Sequence, residues 1–398
     1  MIPDIRKKYN ESFTDERYQA FLDHISRAYH HRPFFRISET PVFVPRELGQ
    51  HLFRACEEIT DVICDPSFKD LTQGALRPKY TTPNEDDHTL FLQMDFGICI
   101  TEEGLRPKLI EVQGFPSLYF YQDLVARAYR EYFDIPDHLN HLFSGLDSDG
   151  YLDLLRQVIV GDEDPKQVVL LEVEPRTQTT QIDFLGAEHL LGLKIACISE
   201  IRKEGRRIYY IDKHGRDVTI KRIFNRVIYD ELLTRKDLPR EFRFTQEADV
   251  EWVGHPNWFF RISKYTLPFI NSQYAPRTWF LDQMEELPED LDQFVLKPLY
   301  SFAGSGVKIH VEKDDLALVT DPSQYILQEK VHYHPVVETP DVPAKCEVRM
   351  LMLWEPGRDR PRIVNNLARL SKGEMIGVKY NKDKTWVGGS VAFFEGIS

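Results

Sequence analysis

Lys297 closes an apolar run, QFVLKPL, just ahead of a loop of small residues that holds Ser301, Gly304, Ser305 and Gly306. A lysine at a strand end is a compact positive charge. Glycines let backbone N–H groups come close enough to cradle phosphate oxygens. The loop lacks the Gly-x-x-x-x-Gly-Lys-Ser/Thr order, so the expected chemistry is phosphate binding without a P-loop. Upstream, Lys264 in RISK opens a predicted helix and supplies a second lysine. Downstream, the apolar strand YILQEKV ends in Gln328, Glu329, Lys330 and Val331. Such an exit can read a base with backbone groups and hold a ribose with its carboxylate. Glu347 and Arg349 alternate in CEVRMLMLW, and Arg369 follows in VNNLARLS. An arginine's planar fork can hold phosphate oxygens in pairs. Asp95 lies in QMDFG, and Glu111 and Gln113 lie in KLIEVQ. The two predicted strands are joined by a short polar turn, so both carboxylates can face one site.

The order lysine, strand-Lys-Pro with a glycine loop, then strand-Gln-Glu resembles the nucleotide-binding half of the ATP-grasp superfamily. The acidic strands come first here, so the order resembles the circularly permuted members. Within these it is similar to the glutathionylspermidine synthase-like group, through Gln93-Met94-Asp95, Lys108 to Gln113, Pro116-Ser117 and Gln122. The resemblance implies ATP and Mg²⁺ as cofactors. Lys264 and Lys297 would hold phosphates, with Ser301, Gly304, Ser305 and Gly306 capping them. Gln328 to Val331 would hold the base and ribose. Asp95, Glu111 and Gln113 would hold magnesium, a hard cation that takes oxygen ligands. Arg349 and Arg369 would face an acyl-phosphate. The implied reaction is an ADP-forming ligation of a carboxylate to an amine on a small molecule or peptide. Two departures stand out: Gln93 occupies the position of the group's arginine, and Gln113 that of its asparagine. A catalytically degenerate nucleotide-binding protein and a kinase-like phosphotransferase on the same fold are the alternatives.

The elements that must position these groups follow from periodicity. Tyr18, Phe21, Leu22, Ile25 and Tyr29 recur at helical spacing, and RELGQHLFRACEEITDVIC reads as a second amphipathic helix. TLFLQMDFGICIT and KLIEVQ read as a hairpin. QVVLLEV, IDFLGAEHLLG and KIACISEI read as a strand-helix-strand unit of a partly parallel sheet. Ligands of such sheets sit at the strand carboxyl ends. That places Arg176, Thr177 and Gln178 forward as substrate contacts, with Arg226 in FNRVIYDEL as another. GVKIHV, CEVRMLMLW, RIVNNLARLS and VGGSVAFF read as further strands of an antiparallel-rich block. The expected fold class is α+β / α/β: a permuted ATP-grasp core with a Rossmann-like middle domain. The expected divisions are a helical segment at 1–90, the metal-carboxylate part at 91–150, an α/β substrate domain at 151–245 and nucleotide-binding lobes at 246–398.

Composition narrows the partners. Acidic residues (63) outnumber basic ones (50), giving a formal charge of −13. That excess disfavours non-specific binding to nucleic-acid polymers, which needs a basic surface. It leaves room for a local basic cluster that binds a nucleotide. Five cysteines, without a C-x-x-C pair, favour neither a disulfide framework nor a zinc ribbon. No signal-type or membrane-spanning apolar run occurs, so a cytoplasmic location and no membrane partner are expected.

Overall fold

The computed structural model describes residues 1–300, 305–377 and 380–397. The apolar spacing at Tyr18, Phe21 and Ile25 becomes a helix, α1 (Asp15–Ala28), capped by the Thr14 hydroxyl, which accepts from the Arg17 N–H. A short strand, β1 (Val42–Val44), leads to α2 (Arg46–Ile63). The predicted hairpin forms as β2 (Phe91–Thr101) and β3 (Gly104–Gln113), followed by α3 (Tyr119–Tyr132).

The middle of the chain gives α4 (Ser148–Ile159), β4 (Val168–Glu172), α5 (Gln181–Leu191), β5 (Lys194–Cys197), β6 (Arg222–Asn225) and β7 (Glu251–Val253). The four strands form one wholly parallel sheet in the order β7-β6-β4-β5. Every residue of β4 and β6 is buried, as expected where both faces are covered.

The last block holds α6 (Pro256–Arg261), β8 (Thr278–Phe280), β9 (Phe294–Pro298), β10 (Tyr325–Glu329), β11 (Ala344–Leu353), β12 (Arg362–Ser371), β13 (Gly388–Ser390) and β14 (Ala392–Glu395). Strands β8, β10 and β9 form a small antiparallel sheet. A larger antiparallel sheet runs β13-β12-β11-β2-β3, so strands from both halves of the chain share it. The predicted strand GVKIHV is reduced to one bridge between Leu296 and Lys308. The expected helix opening at Lys264 is a 3₁₀ turn, Lys264–Phe269, with Pro268 inside it. Proline removes a backbone donor and stops a regular helix there. VGGSVAFF splits at Val391: β13 pairs with β12, whereas β14 runs parallel to β1.

The two faces of the large sheet differ in chemistry. Met94, Phe96 and Ile98 of β2, Leu109 and Val112 of β3, and Val348, Met350 and Met352 of β11 pack with Leu48, Leu52, Ala55 and Ile59 of α2. Leu109 and Val112 could not share a face of an ideal strand, where alternate residues do. The register shifts between Asp95 and Phe96, so that Phe96 opposes Leu109, Asp95 opposes Glu111, and Ile110 is the extra residue. This β-bulge puts Leu109 and Val112 in the core and leaves Glu111 and Gln113 for the opposite face. Among the described residues, no helix is long and apolar enough to cross a membrane.

Candidate functional site

The face of the large sheet turned away from α2 carries a row of charged side chains set by strand register. Glu111, Asp95 and Arg349 are directly opposite one another across β3, β2 and β11. One step along, Arg369 of β12 opposes Glu347, and Glu347 opposes Gly97. Gln113 opposes Gln93. The period of two that buries Val348 and Met350 is what aims Glu347 and Arg349 at this face.

Buried Asp95 is gripped from two sides. Arg349 donates to both its oxygens, from Nε at 2.5 Å and from Nη2 at 2.6 Å, and Arg369 Nη2 donates to Oδ2 as well. The guanidinium groups hold the Asp95 carboxyl below its ordinary range, against the opposing effect of burial. Arg369 Nη2 also donates to Glu347 Oε1, and Tyr333 donates its hydroxyl to Glu347 Oε2 at 2.8 Å. Burial pushes the Glu347 carboxyl upward, with Arg369 opposing and Asp95 reinforcing that shift. Tyr333 reaches this position because Gly97 lies beneath its ring; a Cβ there would stand 2.7 Å from the ring. Arg349 Nη1 donates to Gln93 Oε1 at 3.0 Å, and Gln93 Nε2 donates to the Ser117 carbonyl at 3.1 Å. Gln93 therefore orients an arginine here.

Facing the row are the two lysines. Lys297, buried at the end of β9, donates from Nζ to Gln328 Oε1 at 2.6 Å and to the Ile110 carbonyl at 3.1 Å. The carbonyl of the bulged residue thus meets the lysine. Gln328 Nε2 in turn donates to Thr278 Oγ1 at 3.1 Å. Burial lowers the Lys297 ammonium to about 8, with Glu111 opposing and Lys264 adding to the shift. Lys264 is also buried and lowered, with Glu111 and Asp230 holding its charge. It is brought close by Gly114: the Gly114 N–H donates to the Ile262 carbonyl at 3.0 Å, and a Cβ at Gly114 would stand 2.9 Å from the Trp258 carbonyl oxygen. A cavity of about 210 Å³ adjoins this corner, lined by Asp230, Phe260, Pro298, Tyr300, Arg77 and others.

The remaining sequence candidates are placed as follows. Glu329 accepts from Arg277 Nε at 2.7 Å, and Lys330 donates to Asp292 at 3.3 Å, so both hold ion pairs at the exit of β10. Val331 follows, half-buried. Ser305 and Gly306 are exposed, Gly306 with a φ of +72°. Ser301 and Gly304 lie outside the described residues. In the middle sheet, Arg176 and Thr177 are exposed, and the Thr177 hydroxyl donates to the Glu174 carbonyl. Gln178 donates to the Val173 carbonyl at 2.8 Å and to Glu231 at 3.2 Å. Arg226 is buried after β6, with its guanidinium over the Phe115 and Phe184 rings. Its neighbours Glu172 and Asp183 were not singled out from the sequence, nor were Thr278 and Tyr333. Tyr333, between exposed His332 and His334, carries only the signal of strand alternation.

Two groups expected here can be set against these residues. A pair of buried lysines around Glu111 suits the oxygens of a phosphate. Asp95, Glu111 and Gln113 are hard oxygen donors on adjoining strand positions, which suits magnesium in type and adjacency. Part of this donor set is engaged: Asp95 accepts from the two arginines, and Glu111 Oε1 from Gln113 Nε2. Among the described residues, no group of three or more His, Cys, Asp or Glu side chains is placed to hold a metal.

No known family description matches the chain, and no curated protein matches it. Among solved structures, it resembles a glutathione synthetase-like effector from Globodera pallida in its apo form, with a TM-score of 0.56 and 13% identity over 96% of each chain. The likeness is one of fold, and the fold of this chain is glutathione synthetase-like.

Proposed function

We propose that the chain is an ATP-dependent carboxylate–amine ligase of ATP-grasp type, with its acidic strands placed ahead of its lysine strands. The observation that carries the reading is the meeting of two buried lysines with a charged strand row across Glu111. Buried ammonium groups with lowered proton affinity are costly in an empty site and are relieved by an anion. In the proposal, Lys264 and Lys297 take phosphate oxygens of ATP, while Ser301, Gly304, Ser305 and Gly306 close over them. Gln328 orients Lys297, and the chain from Glu329 to Val331 borders the base and ribose. ATP, when bound, supplies the phosphoryl group that activates a carboxylate. Asp95, Glu111 and Gln113 would hold magnesium, which neutralises phosphate charge. Arg349 and Arg369 turn from Asp95 towards the charge that develops on the activated carboxylate. Positioning and fixed charge carry most of such chemistry.

A specific observation favours a second reading, a nucleotide-binding protein without ligase activity. Asp95 is fully engaged by the arginines that would have to serve the reaction. One experiment separates the two. The protein is incubated with ATP, Mg²⁺ and a mixture of amino acids, short peptides and polyamines, and ADP release is followed. Ligase activity predicts ADP above background and a new amide by mass spectrometry. ATP binding without ADP favours the second reading, and absence of ATP binding refutes both. Lys297→Ala should abolish ATP binding; unchanged binding refutes the proposed phosphate site.

A further inference from the structure

β7 is the end strand of the parallel sheet. β6 pairs with one side of it, and no strand among the described residues pairs with the other. The Glu251 N–H donates to the Lys221 carbonyl at 2.9 Å, on the β6 side. Peptide groups of successive residues in a strand face opposite edges. Trp252 therefore turns its N–H and C=O to the open side, where an edge can pair with another chain.

Val250, Glu251 and Trp252 also line a groove of about 510 Å³, together with Asp86, Asp87 and His88. That volume is within the roughly 300–1,000 Å³ of binding pockets, and no residue of the charged row lines it. The strap carrying Asp86 and Asp87 is fixed to α6. Arg261 Nε donates to Glu85 Oε1 at 2.8 Å, and Trp258 Nε1 donates to Asp86 Oδ1 at 2.5 Å. A wall held in this way need not be ordered by its ligand. The lining carries three carboxyl groups and neither lysine nor arginine. Glu251 is met by Arg222 Nη2 at 2.7 Å, whereas neither Asp86 nor Asp87 forms an ion pair among the described residues. Burial raises the Asp86 carboxyl to about 7, against the indole bond. Buried His255 adds no counter-charge: its Nδ1 accepts the Asn257 N–H and its Nε2 donates to the Pro83 carbonyl, so the ring is neutral.

We propose that this groove docks a short, extended peptide segment of a partner protein, added along the open edge of β7 with a lysine or arginine side chain set against Asp86 and Asp87. Three strand residues present about 10 Å of edge, which sets the length of the segment that pairs. In such strand addition the main-chain bonds hold the segment and its alternate side chains give specificity. Here the uncompensated carboxyl groups select a basic side chain. Leu90, Val250 and Trp252 offer apolar surface to the residues flanking it. The proposal is independent of the ligase reading.

The test titrates the full chain, without nucleotide, into a fluorescein-labelled pentapeptide, Thr-Val-Arg-Val-Thr, and follows fluorescence anisotropy at low ionic strength. Saturable binding is expected. The same peptide with glutamate in place of arginine should bind about tenfold more weakly or worse. A version with methylated central peptide nitrogens keeps the charge but cannot pair as a strand, and it should lose about tenfold as well. Asp87 is exposed, so Asp87→Asn leaves the fold intact and should weaken the arginine peptide about two- to fivefold, the scale of one exposed ion pair. The double variant Asp86→Asn, Asp87→Asn should weaken it further. Absence of saturable binding overturns the proposal, as does equal binding of the glutamate peptide. Equal binding of the methylated peptide makes the groove a cation pocket without strand pairing and overturns it too. So does self-association of the chain that the arginine peptide disperses, which gives the groove to a second copy.

Discussion

Asp95→Asn is the sharpest test of the charged row. The substitution keeps the shape of the side chain and removes its charge. Asp95 meets Arg349 through two hydrogen bonds of 2.5 and 2.6 Å and is also bonded to Arg369. Two unit charges about 4 Å apart interact by roughly 4 kcal/mol at an effective dielectric near 20. Desolvation offsets part of that gain, but a single substitution does not recover it, because both arginines remain. Removing one partner of a buried pair costs about 3–5 kcal/mol. Equilibrium unfolding in urea should show a loss of that order. Its acid limb should also flatten. A carboxyl held low in the folded state contributes stability above its unfolded value, near 3.9, and loses it as pH falls through the folded value. Adding Arg349→Gln should restore part of the loss, since neighbours in one network are not additive. With Asp95 neutralised, the freed guanidinium groups should also bind inorganic phosphate, raising the melting temperature of the variant more than that of the wild type. A loss below about 1 kcal/mol, the scale of an exposed pair, would refute the picture of a buried, mutually neutralised row.

Other perturbations follow from the same geometry. Lys297→Met should stabilise the apo protein at pH 7 by up to about 3 kcal/mol while removing nucleotide binding, because a lysine lowered to about 8 costs folding energy wherever it is charged. The gain should fade as pH rises through 8 and disappear above the unfolded value near 10.5, as read by denaturation at pH 7 and 11. Glu172→Gln should change the alkaline side instead. A carboxyl raised to about 8 contributes stability below its unfolded value near 4.5 and loses it as pH rises through 8, so the variant should exceed the wild type at pH 9 by up to roughly 5 kcal/mol and match it near pH 4. Gly114→Ala should cost about 1–3 kcal/mol by pushing the end of β3 off the Trp258 carbonyl, and should weaken ATP binding through the displaced Lys264.

Local signals in the sequence were strong where one residue type repeats at one period. The α1 and α2 helices, the β2–β3 hairpin and the alternation of Val348 and Met350 with Glu347 and Arg349 are all legible that way. The strand GVKIHV was over-read, because a short apolar run does not say whether a neighbouring strand has room to pair. The bulge at Ile110 could not be read from periodicity alone, since it appears only when β3 is laid against β2. The spacing of Leu109 to Val112 was its one trace. Pairing of Asp95 with Arg349 needs strands far apart in sequence to become neighbours, and no local pattern encodes that. Gln93 was a departure from an expected arginine in the sequence and is an arginine's hydrogen-bond partner in the structure. Arg226 stood out only by position; that the rings of Phe115 and Phe184 meet its guanidinium is a property of the packing.

The pairing of β2 with β11, and of β1 with β14, also has a consequence for how the molecule is made. Asp95 leaves the ribosome long before Arg349, and β1 waits for β14, the pairing of Val42 with Ala392 being one of the most distant in sequence. For most of synthesis, β2 presents an unpaired edge and a carboxylate without its counter-charges. Nascent chains that expose such edges are prone to misassembly, and contacts distant in sequence form late. Loss of β14 would therefore leave β1 unpaired. Closure of this sheet waits until β14 has been made.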